Sequence, residues 1–429
     1  MRTDPLIVRG LALYGPVVAV AGVAYWRRPS RQALGGALLA TLWNLPALLA
    51  VHVVAGAQGW WSFEEVPGSA AGFPADLWIG WSLLWGALPV LAAPRMPVYA
   101  LVALAAWLDI VLMPACAPLL RLGPHWWLGE LAAVGVALVP GVLLGRWTAQ
   151  RRHLRVRVLL QMVCFGALTI VLGTGAALAV EGASWDRLTS HPRWWLGIAA
   201  QVLLLPAALA VSGVFELAER GNGTPFPYDP PDRLVTTGPY AYVANPMQLG
   251  VTMLLLGWSA VAGSWALAAG AVSGCVFSAG LAAWHENAQL TQRFGPLWTD
   301  YRRAVRAWWP RWRPHVAGVS VLYVGWGCAV CEPVAHWIAR RDPVGLRLTG
   351  AADWPGEAPL RRITYAAPDG YRVDGVRAVG RALEHLNFGW AWVGWIVRMP
   401  VIATVLQLLL DATGAGPRTV APFTARRDA

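Results

Sequence analysis

The sequence predicts a polytopic α-helical membrane protein of about nine transmembrane helices with a small α/β unit at its C-terminal end. Three observations carry that reading. Of the 429 residues 57% are hydrophobic and only 13% charged, against roughly 45–50% and about 25% in soluble globular chains. Apolar runs long enough to cross a bilayer recur along the first two thirds of the chain. After residue 317 that pattern gives way to short strand-like and helix-like segments. Disorder, collagen-like fibres and a disulfide scaffold are excluded, since five cysteines are too few for a disulfide framework.

The apolar runs lie near residues 7–25, 34–55, 77–93, 97–119, 128–145, 158–180, 195–217, 247–265 and 266–284. The first has no cleavage site of small residues and is followed at once by Arg27, Arg28 and Arg31, so it reads as a span rather than a signal peptide. All 34 basic residues are arginine, 11 more than the acidic ones. Connections on one side hold eleven arginines, from Arg27 to Arg233, and those on the other side five. By the positive-inside rule the N-terminus lies outside and everything after Trp284 in the cytoplasm, in a cell membrane of bacterial type. The same rule accounts for the Arg151–Arg157 cluster without nucleic acid. Trp60, Trp61, Trp126, Trp127, Trp194 and Trp195 form an aromatic belt at predicted span ends. Asp109 and Glu130 fall within or beside apolar spans. They read either as functional carboxyls or, the favoured alternative, as polar contacts facing the bundle interior. The first five spans carry no further motif.

Between the seventh and eighth spans the composition changes. Six prolines from Pro225 to Pro246 forbid a continuous helix. Tyr228, Asp229, Tyr240, Tyr242 and Asn245 supply aromatic faces and hydrogen-bonding groups in the same stretch. Such a loop suits the wall of a polar cofactor pocket, or else a stiff linker. Glu286 lies where the last span emerges, one turn before Leu290. It reads as a partner for cofactor amine or hydroxyl groups, or as a solvated interfacial charge. His285-Glu286 is not a zinc motif, because no second histidine follows at the required spacing.

Residues 223–314 resemble the catalytic part of the isoprenylcysteine carboxyl methyltransferase-like family, which includes phospholipid methyltransferases. The matching stretches are Gly223-Thr-Pro through Asp229-Pro-Pro, Leu234-Val235, Gly238-Pro-Tyr240, Tyr242-Val243, Asn245-Pro-Met247 and Gly250. A second block comprises Glu286, Leu290, Phe294-Gly295, Tyr301, Val305 and Pro310. The resemblance implies S-adenosylmethionine bound on the cytoplasmic side and a lipophilic or lipid methyl acceptor entering from the bilayer. It places Leu234, Val235, Tyr240, Asn245, Pro246, Met247, Gln248 and Glu286 around the cofactor. The chain departs from the family at Ala241, Ala244-Asn245, Gln248, Ala282 and Asn287. Ala282 replaces the arginine that meets an acceptor carboxylate, which argues against a prenylcysteine acceptor. These losses also fit a degenerate site.

From Ala317 the chain reads as a strand at 319–324, a helix through Arg341, strands at 345–348 and 362–365, a Pro-Asp-Gly turn, a strand at 371–373, and further helices. Cys328-Ala-Val-Cys331 sits at a strand-to-helix turn, a thioredoxin-type arrangement. There a helix N-terminus favours the first thiolate and the second cysteine resolves a mixed disulfide. Together with the later Gly375, Ala378 and Leu383, the pattern resembles the DCC family of thiol-disulfide oxidoreductase-like proteins. That family's Asp is Gly325 here, or Val324 after an insertion, which weakens the redox inference but not the fold. If active, Cys328 is the nucleophile and Cys331 the resolver; a zinc site lacks companions. Segment 388–410 is apolar enough to span, but Arg398-Met-Pro400 interrupts it, so it reads as core of the small domain. The expected organisation is therefore membrane helices of unknown role in 1–157, a methyltransferase-like domain in 158–314, and a thioredoxin-like domain in 317–429. The rival expectations are a membrane-anchored oxidoreductase with a decayed methyltransferase half, and a non-catalytic scaffold.

Overall fold

The computed structural model describes residues 4–325 and 331–415. Contacts divide the chain into two compact units. The first runs to Ser184 and recovers Gly223–Pro230; the second takes Trp185–Asn222 and resumes at Pro231. Among the described residues eight helices are long and apolar enough to cross a membrane.

Six of them build the first unit: α1 (Pro5–Arg27), α2 (Arg31–Ala57), α3 (Ala75–Ala92), α4 (Val98–Cys116), α5 (Trp126–Ala149) and α6 (Leu154–Val180). The Asp4 and Ser30 side chains accept the first free N–H groups of α1 and α2. α2 lies against α5 where both offer glycine: a Cβ on Gly36 would sit 2.2 Å from the Gly145 carbonyl oxygen. Small residues let backbones approach in this way when no water is present to drive association. Arg146 of α5 donates to the carbonyls of Ala93 and Met96, satisfying acceptors where α3 ends. A short antiparallel ribbon, β1 (Trp61–Phe63) with β2 (Leu120–Leu122), ties the α2–α3 connection to the α4–α5 connection.

The proline-rich stretch is divided between the units. Its first part belongs to the first unit, where Asp229, 1% exposed, accepts from Arg157 at 2.6 Å and from Arg151 at 3.2 Å. Phe226 packs with Leu39 and Leu144. Tyr228 lies over Gly35, where a Cβ would fall 2.4 Å from its own. Tyr228 and Asp229, suited by type to a pocket wall, are held in this bundle.

In the second unit α7 (Arg193–Gly221) and α9 (Trp265–Phe294) are candidate spans. Between them α8 (Pro246–Ala262) has 17 residues. The sequence placed its eighth span here, at residues 247–265. α8 opens on Pro246, and Gly263 (φ +57) and the Ser264 cap end it. Its 17 residues rise about 26 Å, at the lower end of the roughly 17–25 residues that span a bilayer. α9 is a 30-residue helix that continues to Phe294 rather than stopping near residue 284. α8 packs closely on α7: a Cβ on Gly250 would meet the Pro206 carbonyl at 2.7 Å. A short helix, α10 (Pro296–Ala304), follows.

The C-terminal part holds a four-stranded mixed sheet. Its strands are β3 (Ser320–Val324), β4 (Leu346–Gly350), β5 (Thr364–Ala366) and β6 (Arg372–Asp374), in the order β4-β3-β5-β6. β4 is parallel to β3, while β5 is antiparallel to both β3 and β6. The β3–β4 crossover carries α11 (Cys331–Ala339), and α12 (Val376–Leu383) follows β6. Leu322, Val324, Ile338, Ala378, Ala382 and Leu386 form its core. Cys328 lies outside the described residues; Cys331 opens α11. Segment 388–410, read as domain core, forms α13 (Phe388–Arg398) and α14 (Pro400–Leu410), bent by 82° at the proline; Ala391 and Trp395 of α13 are buried with Leu209 and Tyr242, and by length and composition the pair also meets the criteria for a broken span or re-entrant loop.

His385 is buried behind the sheet. Its Nδ1 donates to the Val344 carbonyl at 2.7 Å, which leaves Nε2 to accept from the Tyr365 hydroxyl at 3.0 Å. Burial, with Arg381 nearby, pushes this imidazole below 6.5 against the opposing pull of Val344 and Glu384. An unfolded chain takes up the proton at pH values where the native site resists it. Stability from this residue is therefore complete above 6.5 and falls as the pH drops below it. Thermal unfolding of the purified protein should show a midpoint declining from pH 7 to pH 5.5. The slope should be no steeper than about 1.4 kcal/mol per pH unit for this one group. A His385→Gln variant should have a flatter profile.

Candidate active site

The second part of the proline-rich stretch, residues 231–245, is pinned in the second unit from two directions. The first anchor is a buried carboxylate. Glu216, one turn from the end of α7, has 0% exposure. Arg381 of α12 meets it at 2.8 Å and Arg398 of α13 at 3.1 Å. Both guanidinium groups also hold Glu384, Arg381 at 3.0 Å. Burial alone would push Arg381 down, but the Glu216 and Glu384 carboxylates overcome it and hold the group well above its usual range. The Thr237 hydroxyl donates to Glu216 at 2.5 Å. Gly238 follows with φ +60, and a Cβ there would lie 2.7 Å from the Glu216 carboxyl carbon. Glycine is required on both counts.

The second anchor is the chain after α9. Ala244 N–H donates to Arg306 O at 2.9 Å, and Asn245 N–H to Ala307 O at 3.2 Å. His315 N–H donates to Ala241 O at 2.8 Å, and the Tyr301 hydroxyl to Tyr240 O at 2.8 Å. Leu234 and Ala244 pack with Leu290, Phe294, Trp298 and Val305. The two sequence blocks thus fold against each other.

Between these anchors stand the residues singled out from sequence. Val235 and Tyr240 pack with Leu217 and Met247, while Pro246 opens α8 after Asn245. Gln248 is half-buried in the first turn of α8. Glu286 is exposed on α9, yet near enough to act on Tyr240. The Tyr240 ring is 7% exposed, and its hydroxyl is buried with no hydrogen-bond partner among the described residues. Burial first, then Tyr301, Glu286 and Glu216, push this phenol well above its ordinary value. It therefore stays a neutral donor. A buried donor without an acceptor costs about 1–3 kcal/mol, and a ligand oxygen would satisfy it.

Tyr242 is used differently from its sequence reading. It is fully buried, donates to Glu384 O at 2.8 Å and lies edge-on to Trp395. It holds α13 rather than a cofactor. A polar cavity of about 240 Å³ adjoins the loop's other face, lined by Arg220, Arg233, Leu234, Val235, His315 and Tyr365 among others. Leu234 and Val235 are shared between this cavity and the hydrophobic side of the loop.

Sequence reasoning missed Glu216, Thr237, Arg381, Glu384 and Arg398. One signal was present, a carboxylate near the end of an apolar helix; its partners are 165 and 182 residues away. Replacing Glu216 by Gln removes the charge that compensates two buried arginines. The expected cost is about 3–5 kcal/mol, read as a large drop in the unfolding midpoint, with Glu219→Gln at the more exposed edge costing far less.

The apolar helices mark an integral membrane protein. No curated protein and no solved structure matches the chain. The family model of phospholipid methyltransferases matches residues 193–296, from the start of α7 to the end of α9, and supports a membrane methyltransferase of the isoprenylcysteine and phospholipid type.

Proposed function

We propose that the second unit is an S-adenosylmethionine-dependent methyltransferase acting on a lipophilic acceptor that arrives through the bilayer. The observation that carries the proposal is the unpartnered, buried Tyr240 hydroxyl between the proline-stiffened loop and α9. S-adenosylmethionine supplies an electrophilic methyl group on a sulfonium. Leu234, Val235, Asn245, Pro246, Met247 and Gln248 are assigned to its walls. Glu286 is assigned to its amine or ribose hydroxyl groups, and the Tyr240 hydroxyl to one of its oxygens. The tyrosine face favours a cation beside it. These residues carry no proton in the transfer itself. They orient donor and acceptor and exclude water, which is most of what such a displacement requires.

The acceptor is not assigned a carboxylate, because Ala282 stands where the resembling family places arginine. The arginine bias favours an N-terminus outside and a sheet domain in the cytoplasm. The sheet order β4-β3-β5-β6, with the crossover helix opening at Cys331, supports a thioredoxin-like reading of the C-terminal domain. That gives the second reading its one specific support: a membrane-anchored oxidoreductase using Cys328 and Cys331.

Calorimetric titration of the detergent-solubilised protein with S-adenosylmethionine separates the two. Tyr240→Phe should weaken binding about five- to tenfold, the worth of one hydrogen bond. Glu286→Gln should weaken it further. No binding to the wild-type protein, together with a titratable Cys328–Cys331 couple lost in Cys328→Ser, favours the oxidoreductase.

A further inference from the structure

The first unit contains a second built site, outside the matched segment. A cavity of about 80 Å³ lies inside the helix bundle beneath the β1–β2 ribbon. Five aromatic side chains, Trp61, Phe63, Phe73, Trp81 and Trp85, line it together with aliphatic ones such as Leu48 and Leu77. Three polar side chains interrupt this wall, His52 of α2, Asp109 of α4 and Glu130 of α5. Asp109 accepts from the Trp81 indole and adjoins Glu130. The two carboxyl groups thus stand side by side in the wall, away from water.

Two acceptors in the wall are unsatisfied. Glu130 is 7% exposed, and its Oε1 has no partner among the described residues. His52 is equally buried; its Nε2 lies 3.0 Å from the Ala71 carbonyl and must donate there. Its Nδ1 is left as an acceptor, also without a partner among the described residues. Buried, unpartnered acceptors among carboxyl groups and electron-rich ring faces describe a site for a cation with N–H donors. An anion would meet the carboxyls, and a neutral apolar ligand would leave both acceptors unpaired. No group of three metal-ligating side chains occurs among the described residues.

Glu130 also lines a second space. A groove of about 750 Å³ runs between α4 and α5, walled by Tyr99, Val102, Ile110, Leu131 and Val134. Ile110 and Leu131 are 46% and 61% exposed, so the groove faces outward from the bundle. Along it α5 relaxes into a π-helical turn over Val134–Leu138, a distortion frequent at functional sites. An apolar channel on the lipid-facing side therefore ends at the carboxyl of the inner cage.

We propose that the first unit binds a monocationic amphiphile, a protonated primary or secondary amine on an alkyl chain. The ammonium group sits between Glu130 and His52 within the aromatic cage, and the chain lies in the α4–α5 groove. The Trp61 indole N–H, buried and without a partner among the described residues, remains to donate to an oxygen near the amine.

The test is equilibrium binding of radiolabelled dodecylamine to the full-length protein in lipid nanodiscs, with empty nanodiscs as background and dodecanol as the neutral probe. The wild-type protein should take up one equivalent of dodecylamine saturably, at least tenfold more tightly than dodecanol. Glu130→Gln should lose at least tenfold, and Leu131→Trp, which fills the exposed groove without touching the carboxyls, should lose a similar factor. Absence of saturable uptake, equal affinity for dodecanol, or unchanged affinity in Glu130→Gln would each overturn the proposal. The comparison of the two probes on wild-type protein decides the matter even if a variant fails to fold.

Discussion

The second unit is organised around one buried charge. Glu216 stands near the end of an apolar helix, where an unpaired carboxylate would be prohibitively costly, and two arginines from the C-terminal helices neutralise it. Thr237 adds a hydrogen bond, and the absence of a side chain at Gly238 lets the loop close over the carboxylate. The match segment and the α/β domain are therefore parts of one ionic assembly, and the loop beside Tyr240 takes its position from it. Buried ionic networks add little net stability against a hydrophobic alternative, but they penalise every arrangement that leaves one member alone. Fixing the path of a polar loop at a helix end is a task suited to that property.

A polar, proline-rich segment beside apolar helices must settle its backbone groups in some way. Here it does so by borrowing N–H and carbonyl partners from the chain after α9 and by sending Asp229 to two arginines of the first unit. What remains unsettled is informative. The Tyr240 hydroxyl in one unit, and Glu130 Oε1 and His52 Nδ1 in the other, are buried polar atoms without partners among the described residues. In both places the neighbouring surface is aromatic or apolar with acidic groups close by, the general form of a small-molecule site.

Much of the architecture was legible because long apolar runs have few alternatives to membrane helices. The exceptions have local causes. The stretch at 247–265 was read as a full span because hydropathy does not register that Pro246 and Gly263 set its ends. Helix α9 outruns its apolar stretch because its last turns are amphipathic, with Leu290 and Phe294 against the loop and polar residues outward. The strands of the small sheet fell close to their expected positions, since alternation and the Pro-Asp-Gly turn are short-range signals. The cofactor residues Leu234, Val235, Tyr240 and Met247 came from a resemblance, and folding brings them into one neighbourhood. Tyr228, Asp229 and Tyr242 looked equally suitable by type but are engaged elsewhere. Glu216 with its arginines, and Asp229 with Arg157, were not legible, because pairings across 72 to 182 residues leave no periodic trace in one sequence.

Hydrogen–deuterium exchange of the full-length protein with and without S-adenosylhomocysteine tests the central assignment most directly, because it locates the ligand without relying on turnover. The account predicts slowed exchange confined to residues 233–248 and the last turns of α9 through α10. Protection absent from those segments, or confined to the first unit or the β-sheet, would contradict it.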